Sequence, residues 1–418
     1  MIMCGTEATF VAKHSPISST TANTISHHTT QNAATGQNLD YSKVINLDHG
    51  DPAMYESYWR KMGKSCAITF AGDEHLSYFS DVNKVCWFME PKLEEEIRRL
   101  HTVVGNAAVD NHDDYIVVGN GSSQLIQAAL YALSSHHSDH HPRPISVVCA
   151  APYYSSYPEM TEFLQSGMYK WEGDAREFEK DGAYIELVTS PNNPDGVLRR
   201  AVVQLNNNKG EERGSVVHDL AYYWPQYTAI TSPANHHLML FTVSKCTGHA
   251  GSRIGWGIVK NKEVAKKMTK FIEISSIGVS KESQLRAAKI LGVVSDSCSN
   301  PQIQNFFQYT HTLLYQRWQK LRQVVKVSHL FTLQKYPIHY CRFAKDFTQT
   351  LPAFAWIMCK GREEDCEKLL RGHNILTRSG TKFGADPKFV RISMLGNEDD
   401  FNILLQRLSN LQQTVTAY

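Results

Sequence analysis

Polar side chains follow several strand-like runs of this sequence, at the points where each run ends. Ser122 and Ser123 follow Gly121 after the run Tyr115–Gly119. A glycine, hydroxyl groups and the free N–H groups of a helix start can together bind an anion such as phosphate. The same residues could equally form an ordinary serine-rich helix cap. A phosphate site and a plain cap are therefore both open at this point.

Three later strand-like runs are followed by, or end in, an amide, an acid and an amine. These groups are Asn193, Asp219 and Lys245, and Arg253 lies eight residues beyond the lysine. Together they could bind a charged ligand and exchange protons with it. Taken singly, Asn193 is typical of a Pro/Asn/Gly turn, Asp219 of a helix cap and Lys245 of a solvated surface charge.

The elements that must position these groups follow an α/β pattern. Strand-like runs alternate with helical patterns or polar connections, and they lie at Tyr115–Gly119, Ile145–Ala150, Tyr184–Thr189, Ser215–Asp219 and Leu238–Ser244. This alternation predicts a mostly parallel sheet with helices on both faces, in which ligands bind at the carboxyl ends of the strands. Arg253–Val259 follows too soon for a helical crossover, so we expect it to be an antiparallel neighbour.

We expect one two-part catalytic unit that follows a tail. The tail is rich in Ser and Thr and lacks aliphatic periodicity, which is typical of a flexible segment. Beyond residue 280, a helical pattern from Ser283 to about Lys335 is followed by two strand-like runs, Phe354–Met358 and Phe389–Ser393. The predicted boundaries are 1–43 for the tail, 44–65 for a segment packing on the small domain, 66–280 for the large domain and 281–418 for the small α+β domain.

Charge and composition narrow the class of protein. The chain has 418 residues, with 43 Lys and Arg against 41 Asp and Glu, and a formal net charge of +2. It lacks the basic excess typical of nucleic-acid or membrane-surface binders. The hydrophobic share of 42% supplies a sizeable core, and no apolar run approaches the length of a membrane span. We expect a soluble cytoplasmic protein that binds neither nucleic acid nor membrane.

Cysteine and histidine residues offer two further clues. The nine cysteines are odd in number and contain no CxxC pair, so we expect thiols in a reducing compartment. A segment with close His and Asp spacing could hold a zinc ion; its residues are His136, His137, Asp139, His140 and His141. Adjacent histidines point different ways, and the Ser/Pro setting is typical of an exposed loop. We therefore predict no metal in the site.

The order of the motifs resembles that of fold-type I pyridoxal-phosphate enzymes, specifically aminotransferases, from about residue 44 to the end. Four segments are similar to the plant tryptophan aminotransferase and alliinase group: Leu47–Pro52, Tyr55–Trp59, Leu76–Asp81 and Ser190–Gly196. Alliinases carry a Cys-rich module before the catalytic domain, whereas this chain has a Cys-poor tail there. This difference favours the tryptophan aminotransferase branch.

The resemblance implies a role for each cofactor-binding residue. Lys245 would form the covalent link to the cofactor aldehyde and later move the substrate Cα proton. Asp219 would pair with the pyridine nitrogen and keep the ring cationic. Tyr222 and Asn193 would bind the phenolate oxygen of the cofactor, and Tyr154, or else Tyr153, would stack on its ring. The residues implied around the phosphate are Gly121, Ser122, Ser123, Thr242, Arg253 and a neighbouring subunit's Tyr78.

The same resemblance implies the substrates and a homodimer with shared active sites. Arg391 would bind the substrate carboxylate as a planar fork, and Gly50 would let backbone approach the substrate. The implied reaction transfers the amino group of L-tryptophan, or another aromatic amino acid, to pyruvate or another 2-oxo acid. Indole-3-pyruvate, the product, would enter auxin biosynthesis. Apolar walls for the indole could come from Tyr58, Trp59, Phe79 and Trp87.

Two other functions stay open from the sequence. A carbon–sulfur lyase acting on cysteine sulfoxides would use the same Lys245, Asp219 and Arg391. A non-enzymatic relative could keep the fold for partner binding, although all of the expected site residues are present.

Overall fold

The computed structural model describes residues 42–109, 114–135, 144–179, 182–203, 214–360 and 364–415. Its strands are β1 (Ile45–Asn46), β2 (Tyr115–Asn120), β3 (Ile145–Cys149), β4 (Tyr169–Asp174), β5 (Tyr184–Thr189), β6 (Gly214–Asp219), β7 (Leu238–Thr242), β8 (Ile254–Val259), β9 (Phe331–Leu333), β10 (Ile338–Cys341), β11 (Asp346–Gln349), β12 (Phe354–Cys359), β13 (Ile375–Leu376), β14 (Arg378–Ser379) and β15 (Phe389–Ser393). Its α-helices are α1 (Glu56–Lys61), α2 (Pro91–Val104), α3 (Gly121–Ser134), α4 (Tyr157–Glu162), α5 (Val243–Cys246), α6 (Lys262–Ser276), α7 (Lys281–Ser299), α8 (Phe306–Ser328), α9 (Cys366–Gly372) and α10 (Glu398–Val415).

A seven-stranded mixed sheet carries most of the predicted site residues. Its strand order is β2-β8-β7-β6-β5-β3-β4. Strand β8 is antiparallel to both of its neighbours, and the pairings among β7, β6, β5, β3 and β4 are all parallel. The mostly parallel α/β sheet and the antiparallel neighbour at Arg253–Val259 are thus confirmed. The edge strand β4 was missed because its sequence, YKWEGD, is mostly polar and only partly buried.

Burial explains why this sheet needs helices on both faces. Every residue of β3, β5, β7 and β8 is buried. A strand buried along its whole length reads as a continuous apolar run because both faces are covered. Helices α3 and α6 pack together and against the β2–β8 edge, while α2 packs on α7.

A smaller antiparallel sheet holds the remaining predicted strands. Its order is β14-β15-β12-β9, so Phe354–Met358 and Phe389–Ser393 are confirmed as strands. The helical prediction to about Lys335 is wrong at its end. Helix α8 stops at Ser328, where His329 takes a left-handed conformation, and β9 follows. Strand β1 pairs with β13 in parallel, which joins the start of the described chain to its C-terminal part.

Two earlier expectations fall partly or wholly outside the described residues. Residues 1–41 of the tail and the His-rich segment 136–141 are not described. The four domain boundaries, 1–43, 44–65, 66–280 and 281–418, stay predictions. Among the described residues, no group of three or more His, Cys, Asp and Glu could hold a metal. No helix in that part of the chain is long and apolar enough to cross a membrane.

The expectation that every cysteine is a thiol is wrong for one pair. Cys359 and Cys366 form a disulfide that joins the end of β12 to the first residue of α9. The pair has no CxxC signature, because these residues are seven positions apart and meet only when the strand and helix pack. The other described cysteines are free thiols: Cys66, Cys86, Cys149, Cys246, Cys298 and Cys341.

Candidate active site

The sheet topology brings the predicted site residues to one edge. Strands β5, β6 and β7 run parallel and adjacent, and they end at Thr189, Asp219 and Thr242. Strand β2 has the same direction, since both β2 and β7 are antiparallel to β8. The start of α3 after β2 therefore lies at the same edge as the residues that follow β5, β6 and β7.

Lys245 lies on a turn whose backbone is held at both ends. The hydroxyl of Thr242 accepts a hydrogen bond from the Ser244 N–H at 3.2 Å and so caps the four-residue helix α5. The carbonyl of Lys245 accepts from the Tyr227 hydroxyl at 3.0 Å, which also bonds the Tyr55 hydroxyl at 2.8 Å. Because the Ser244 N–H and the Lys245 carbonyl are both satisfied in this way, the lysine backbone has a fixed position.

The Lys245 amine is poised to exchange a proton. Its Nζ donates to the carbonyl oxygen of Gly50 at 2.6 Å. Burial and the charges of Arg391 and Arg253 lower the pKa of Lys245 to about 8, against an opposing effect of Asp51. An amine with a pKa near neutrality can act as a base for part of a catalytic cycle.

Gly50 leaves no room for a side chain beside this amine. A Cβ at Gly50 would lie 2.8 Å from Cζ of Phe354 and 3.0 Å from Nζ of Lys245. The predicted close approach of backbone at Gly50 therefore has a physical basis. Phe354, which sequence reasoning did not single out, forms the apolar wall opposite this glycine.

Asp219 is buried and held by two donors. Its Oδ2 accepts from the Tyr157 hydroxyl at 2.9 Å and its Oδ1 from the Ala221 N–H at 3.1 Å. Burial raises the pKa of Asp219, and these two hydrogen bonds oppose the rise. Tyr157 also lies 2.6 Å from the Thr189 hydroxyl at the end of β5. Tyr157 lies only three residues after Tyr154, but it carries no sequence signal of its own.

Arg391 projects from β15 into the same space. Its Nη1 donates to the amide oxygen of Asn193 at 3.0 Å, and its Nη2 donates to the carbonyl of Asp48. The guanidinium lies over the rings of Phe354 and Phe383, 4.1 and 5.1 Å from their centroids. Burial and the neighbouring Arg378 lower the pKa of Arg391 to about 10. Its Nε atom is buried without a hydrogen-bond partner.

The predicted phosphate contacts converge at the start of α3. A Cβ on Gly121, which has φ of +74°, would lie 2.5 Å from Nη2 of Arg253. A Cβ on Gly255 would lie 2.8 Å from the backbone N of Ser122. The side chain of the N-cap residue Asn120 makes no hydrogen bond to the start of α3, although its backbone N–H donates to Gln124 Oε1 at 2.8 Å. An arginine, Ser122 and Ser123 thus surround open helix N–H groups, an arrangement that suits a phosphate.

The Thr242 hydroxyl is already engaged within the protein. It donates to the carbonyl of Ile254 at 3.0 Å and accepts from the Ser244 N–H. Its best-supported role is therefore to hold the lysine turn, and a phosphate contact from this residue stays a prediction.

Three further predicted residues contact the residues described above. Asn193 is buried on the turn after β5, and its Nδ2 remains to donate once Oδ1 has accepted from Arg391. Tyr222 is buried, which raises its pKa, and its ring lies 5.9 Å from that of Phe354. Tyr154 packs edge-on against Tyr157 at 5.3 Å.

Tyr153, the alternative stacking residue, points elsewhere. Its ring lies 4.9 Å from Trp171, and a Cβ on Gly384 would touch it at 2.7 Å. Its backbone N–H donates to the carbonyl of Phe383. This packing favours Tyr154 as the residue that contacts the ring of the predicted cofactor.

The structure does not bring every predicted residue to this site. Tyr78 is 68% exposed and makes no hydrogen bond or ring contact with the described site residues. Of the four aromatic residues considered for the indole, Tyr58 packs on Phe306 and Tyr309, and Phe79 packs on Trp87. Phe354 and Phe383 instead lie under the Arg391 guanidinium, and Phe354 also borders the space between Gly50 and the Lys245 amine.

The fold defines the class of protein. A solved structure of a Thermus thermophilus aspartate aminotransferase mutant matches 88% of this chain and 96% of its own, with a TM-score of 0.62 and 18% sequence identity. At that identity the match shows the fold alone, which is the fold-type I aminotransferase architecture.

Sequence comparison then shows the family. The family model described as Allinase matches residues 45–412. A tryptophan aminotransferase-related protein 2 of Oryza sativa subsp. japonica is 52% identical over 88% of this chain and 74% of its own length. An alliin lyase of Allium cepa var. aggregatum is 35% identical over 86% of this chain and 79% of its own. The chain belongs to the alliinase family, in the group that includes the tryptophan aminotransferase-related proteins.

Enzymes of this family and fold depend on pyridoxal 5′-phosphate, which is the predicted cofactor. The residues present fit it. The crowded Gly121–Arg253 contact beside an uncapped helix suits the phosphate, buried Asp219 suits a protonated ring nitrogen, and the amine of Lys245 suits the aldehyde.

Proposed function

We propose that this chain catalyses the pyridoxal-phosphate-dependent transamination of L-tryptophan, and of other aromatic amino acids, with pyruvate or another 2-oxo acid. The observation that carries the proposal is the convergence of Lys245 and Arg391 on one backbone segment, Asp48–Gly50. A proton-exchanging amine thus lies beside a carboxylate-binding fork. The 52% identity to a protein named tryptophan aminotransferase-related supports the choice of amino acid. In this proposal the product, indole-3-pyruvate, supplies auxin biosynthesis.

The substrate carboxylate binds to Arg391. The two rings under its guanidinium and the Asn193 amide hold the fork in one orientation, so little freedom is lost when the carboxylate binds. Fixing the carboxylate also fixes the direction of the Cα–H bond relative to Lys245.

The cofactor is held by groups at the carboxyl edge of the sheet. Gly121, Ser122, Ser123 and Arg253 bind its phosphate, and Asp219 pairs with its ring nitrogen. Asn193 and Tyr222 bind its phenolate oxygen, Tyr154 covers the ring, and Thr242 positions the lysine turn. When bound, the cofactor supplies an electron sink for the electrons released at Cα.

Lys245 moves the proton. With a pKa of about 8, its amine is partly neutral near neutral pH and can accept the Cα proton. The Tyr157 hydroxyl and the Ala221 N–H bond to the Asp219 oxygens and favour its charged form, against the burial that raises its pKa. The rings of Phe354 and Tyr222 present an apolar face to an aromatic side chain.

A homodimer with shared sites is part of the proposal. Tyr78 lies in a run of exposed apolar side chains that also includes Leu76, Phe79 and Val82. Such a run favours burial against a second copy of the chain, where Tyr78 would contact the neighbouring subunit's phosphate. Sedimentation of the wild-type chain tests the dimer, and it would be monomeric if the proposal is wrong.

The second candidate is a carbon–sulfur lyase acting on cysteine sulfoxides. The Allinase family model and the 35% identity to an alliin lyase favour it. Lys245, Asp219 and Arg391 serve both reactions, so the site residues do not distinguish them. We rank this candidate second because the identity to the aminotransferase-related protein, 52%, is greater than the 35% to the alliin lyase.

A half-reaction screen tests both candidates. The cofactor-loaded enzyme is mixed with single amino acids, and conversion of the cofactor to its amino form is followed by absorbance. We expect tryptophan to convert it and S-alkyl cysteine sulfoxides to release no pyruvate. The reverse result would assign the lyase activity instead. Lys245→Ala should abolish conversion, whereas Lys262→Ala, at an exposed lysine at the start of α6, should not change it.

A further inference from the structure

A second arginine lies beside the carboxylate-binding fork and is paired with an acid. Nε of Arg378 donates to Oδ1 of Asp48 at 2.5 Å, and its Nη2 donates to Oδ2 at 3.0 Å. Its remaining Nη1 donates to the Ser155 hydroxyl at 2.9 Å. The same Oδ1 of Asp48 lies 4.0 Å from Nη2 of Arg391. One carboxylate thus lies between two guanidinium groups.

Exposure separates the two arginines. The Arg391 side chain is 3% exposed, whereas those of Arg378 and Asp48 are 24% and 26% exposed. The Asp48–Arg378 pair is therefore accessible to solvent and to a bound ligand. Burial raises the pKa of Asp48, but the hydrogen bond from Arg378 and the charges of Arg378, Arg391 and His49 hold it below its ordinary value. Asp48 is accordingly ionised at neutral pH.

The charges of this cluster match one carboxylate. Two guanidinium groups and one ionised Asp48 leave a single net positive charge, which the carboxylate of an amino acid or 2-oxo acid neutralises. A second carboxylate on the substrate would have to displace Asp48 from Arg378. That exchange replaces one bidentate pair by another and deprives the partly buried Asp48 of its bidentate partner, while Arg391, 4.0 Å away, binds the first carboxylate.

We propose that the Asp48–Arg378 pair is a specificity-determining element that selects monocarboxylic 2-oxo acids over dicarboxylic ones. The proposal rests on the proposed transamination and adds the class of its amino-group acceptor. Asp48 acts by pairing with Arg378, so that Arg378 is not available to a second substrate carboxylate. Pyruvate-like acceptors need only Arg391, whereas acceptors such as 2-oxoglutarate also need a cation for the second carboxylate.

Asp48→Asn tests this directly. The substitution keeps the size of the side chain and the backbone carbonyl that Arg391 contacts, and it removes the charge that neutralises Arg378. In the cofactor-loaded full chain, kcat/KM is measured for 2-oxoglutarate and for pyruvate with the same amino donor. We expect the ratio of the two values to shift by about 10- to 100-fold towards 2-oxoglutarate, the effect of one added charge-assisted contact.

Two further variants isolate the cause. The double variant Asp48→Asn/Arg378→Met should lose the gain, because no cation remains for the second carboxylate. Glu398→Gln makes the same change of net charge at another arginine pair, with Arg317, and should leave the ratio unchanged. An unchanged ratio in Asp48→Asn, or a gain that persists in the double variant, would overturn the proposal.

Binding of unreactive acids separates this proposal from the proposed function. Succinate and propionate carry two carboxylates and one, and their dissociation constants can be measured on wild type and Asp48→Asn by perturbation of cofactor absorbance. We expect Asp48→Asn to tighten succinate relative to propionate by about tenfold or more even if transamination is absent. If the relative affinity does not change, the pair does not set specificity, whatever reaction the enzyme catalyses.

Discussion

Tyr157→Phe is the sharpest test of how this site holds its cofactor. An ionised carboxylate only accepts hydrogen bonds, so the Tyr157 hydroxyl donates its one proton to Asp219 Oδ2, and Thr189 donates to Tyr157. Removing the hydroxyl leaves the buried Asp219 with the Ala221 N–H alone. A hydrogen bond to a charged group contributes about 1.5–3 kcal/mol. At 1.4 kcal/mol for each factor of ten, cofactor affinity should fall by about 10- to 150-fold.

The assay is a titration of apoenzyme with pyridoxal 5′-phosphate, followed by the visible absorbance of the bound cofactor. Thr189→Val is the matched control because it removes the other partner of Tyr157 and leaves the bond to Asp219. We expect Thr189→Val to change the dissociation constant by less than about fivefold, below the range expected for loss of a charged hydrogen bond. Urea midpoints of the apoproteins show whether either variant disturbs folding.

Two results would refute this reasoning. Tyr157→Phe would bind the cofactor as tightly as wild type if Asp219 does not depend on this donor. Equal losses in Tyr157→Phe and Thr189→Val would mean that packing, not the bond to Asp219, sets affinity.

Three other substitutions have defined outcomes. Arg391→Lys should lower kcat/KM for the amino acid by about 100-fold in steady-state kinetics because a lysine cannot bind a carboxylate as a fork, and a loss below tenfold would contradict that role. Gly50→Ala should lower kcat/KM by about tenfold or more, since its Cβ would lie 2.8 Å from Phe354 Cζ, and wild-type kinetics would exclude this crowding. Burial lowers the pKa of His101 from 6.5 to about 4, so the unfolded chain binds more protons between these values and the native state loses stability as the pH falls. Between pH 7 and pH 5, His101 should lower the free energy of unfolding, measured with urea, by about 2 kcal/mol. His101→Gln should remove most of this pH dependence, and an equal pH dependence in both proteins would contradict the role of His101.

The order of strands and helices was readable from the sequence. Fully buried strands such as β7 and β8 appear as nearly continuous apolar runs, and the short connection before β8 excludes a helical crossover. Elements without such a signal were missed. The mostly polar edge strand β4 and the two-residue strands β1 and β13 depend on pairing partners far along the chain.

Lys245, Asp219, Asn193 and Arg391 could be named from the sequence because each follows or lies on a strand-like run, in an order that one enzyme family shares. Nothing in the sequence marks the residues that support them. These are Phe354 under Arg391, Tyr157 beside Asp219, and Asp48, which pairs with Arg378 across 330 positions.

The sequence by itself thus determined the class of fold and singled out the residues proposed to react, because local patterns and motif order encode both. The tertiary structure alone decided the surroundings that tune those groups. A pKa, a hydrogen-bond partner or a charge balance depends on atoms that meet only after the chain has folded. Asp48 illustrates the difference: in the sequence it is one acid of a short motif, and in the fold it is the charge that divides two arginines.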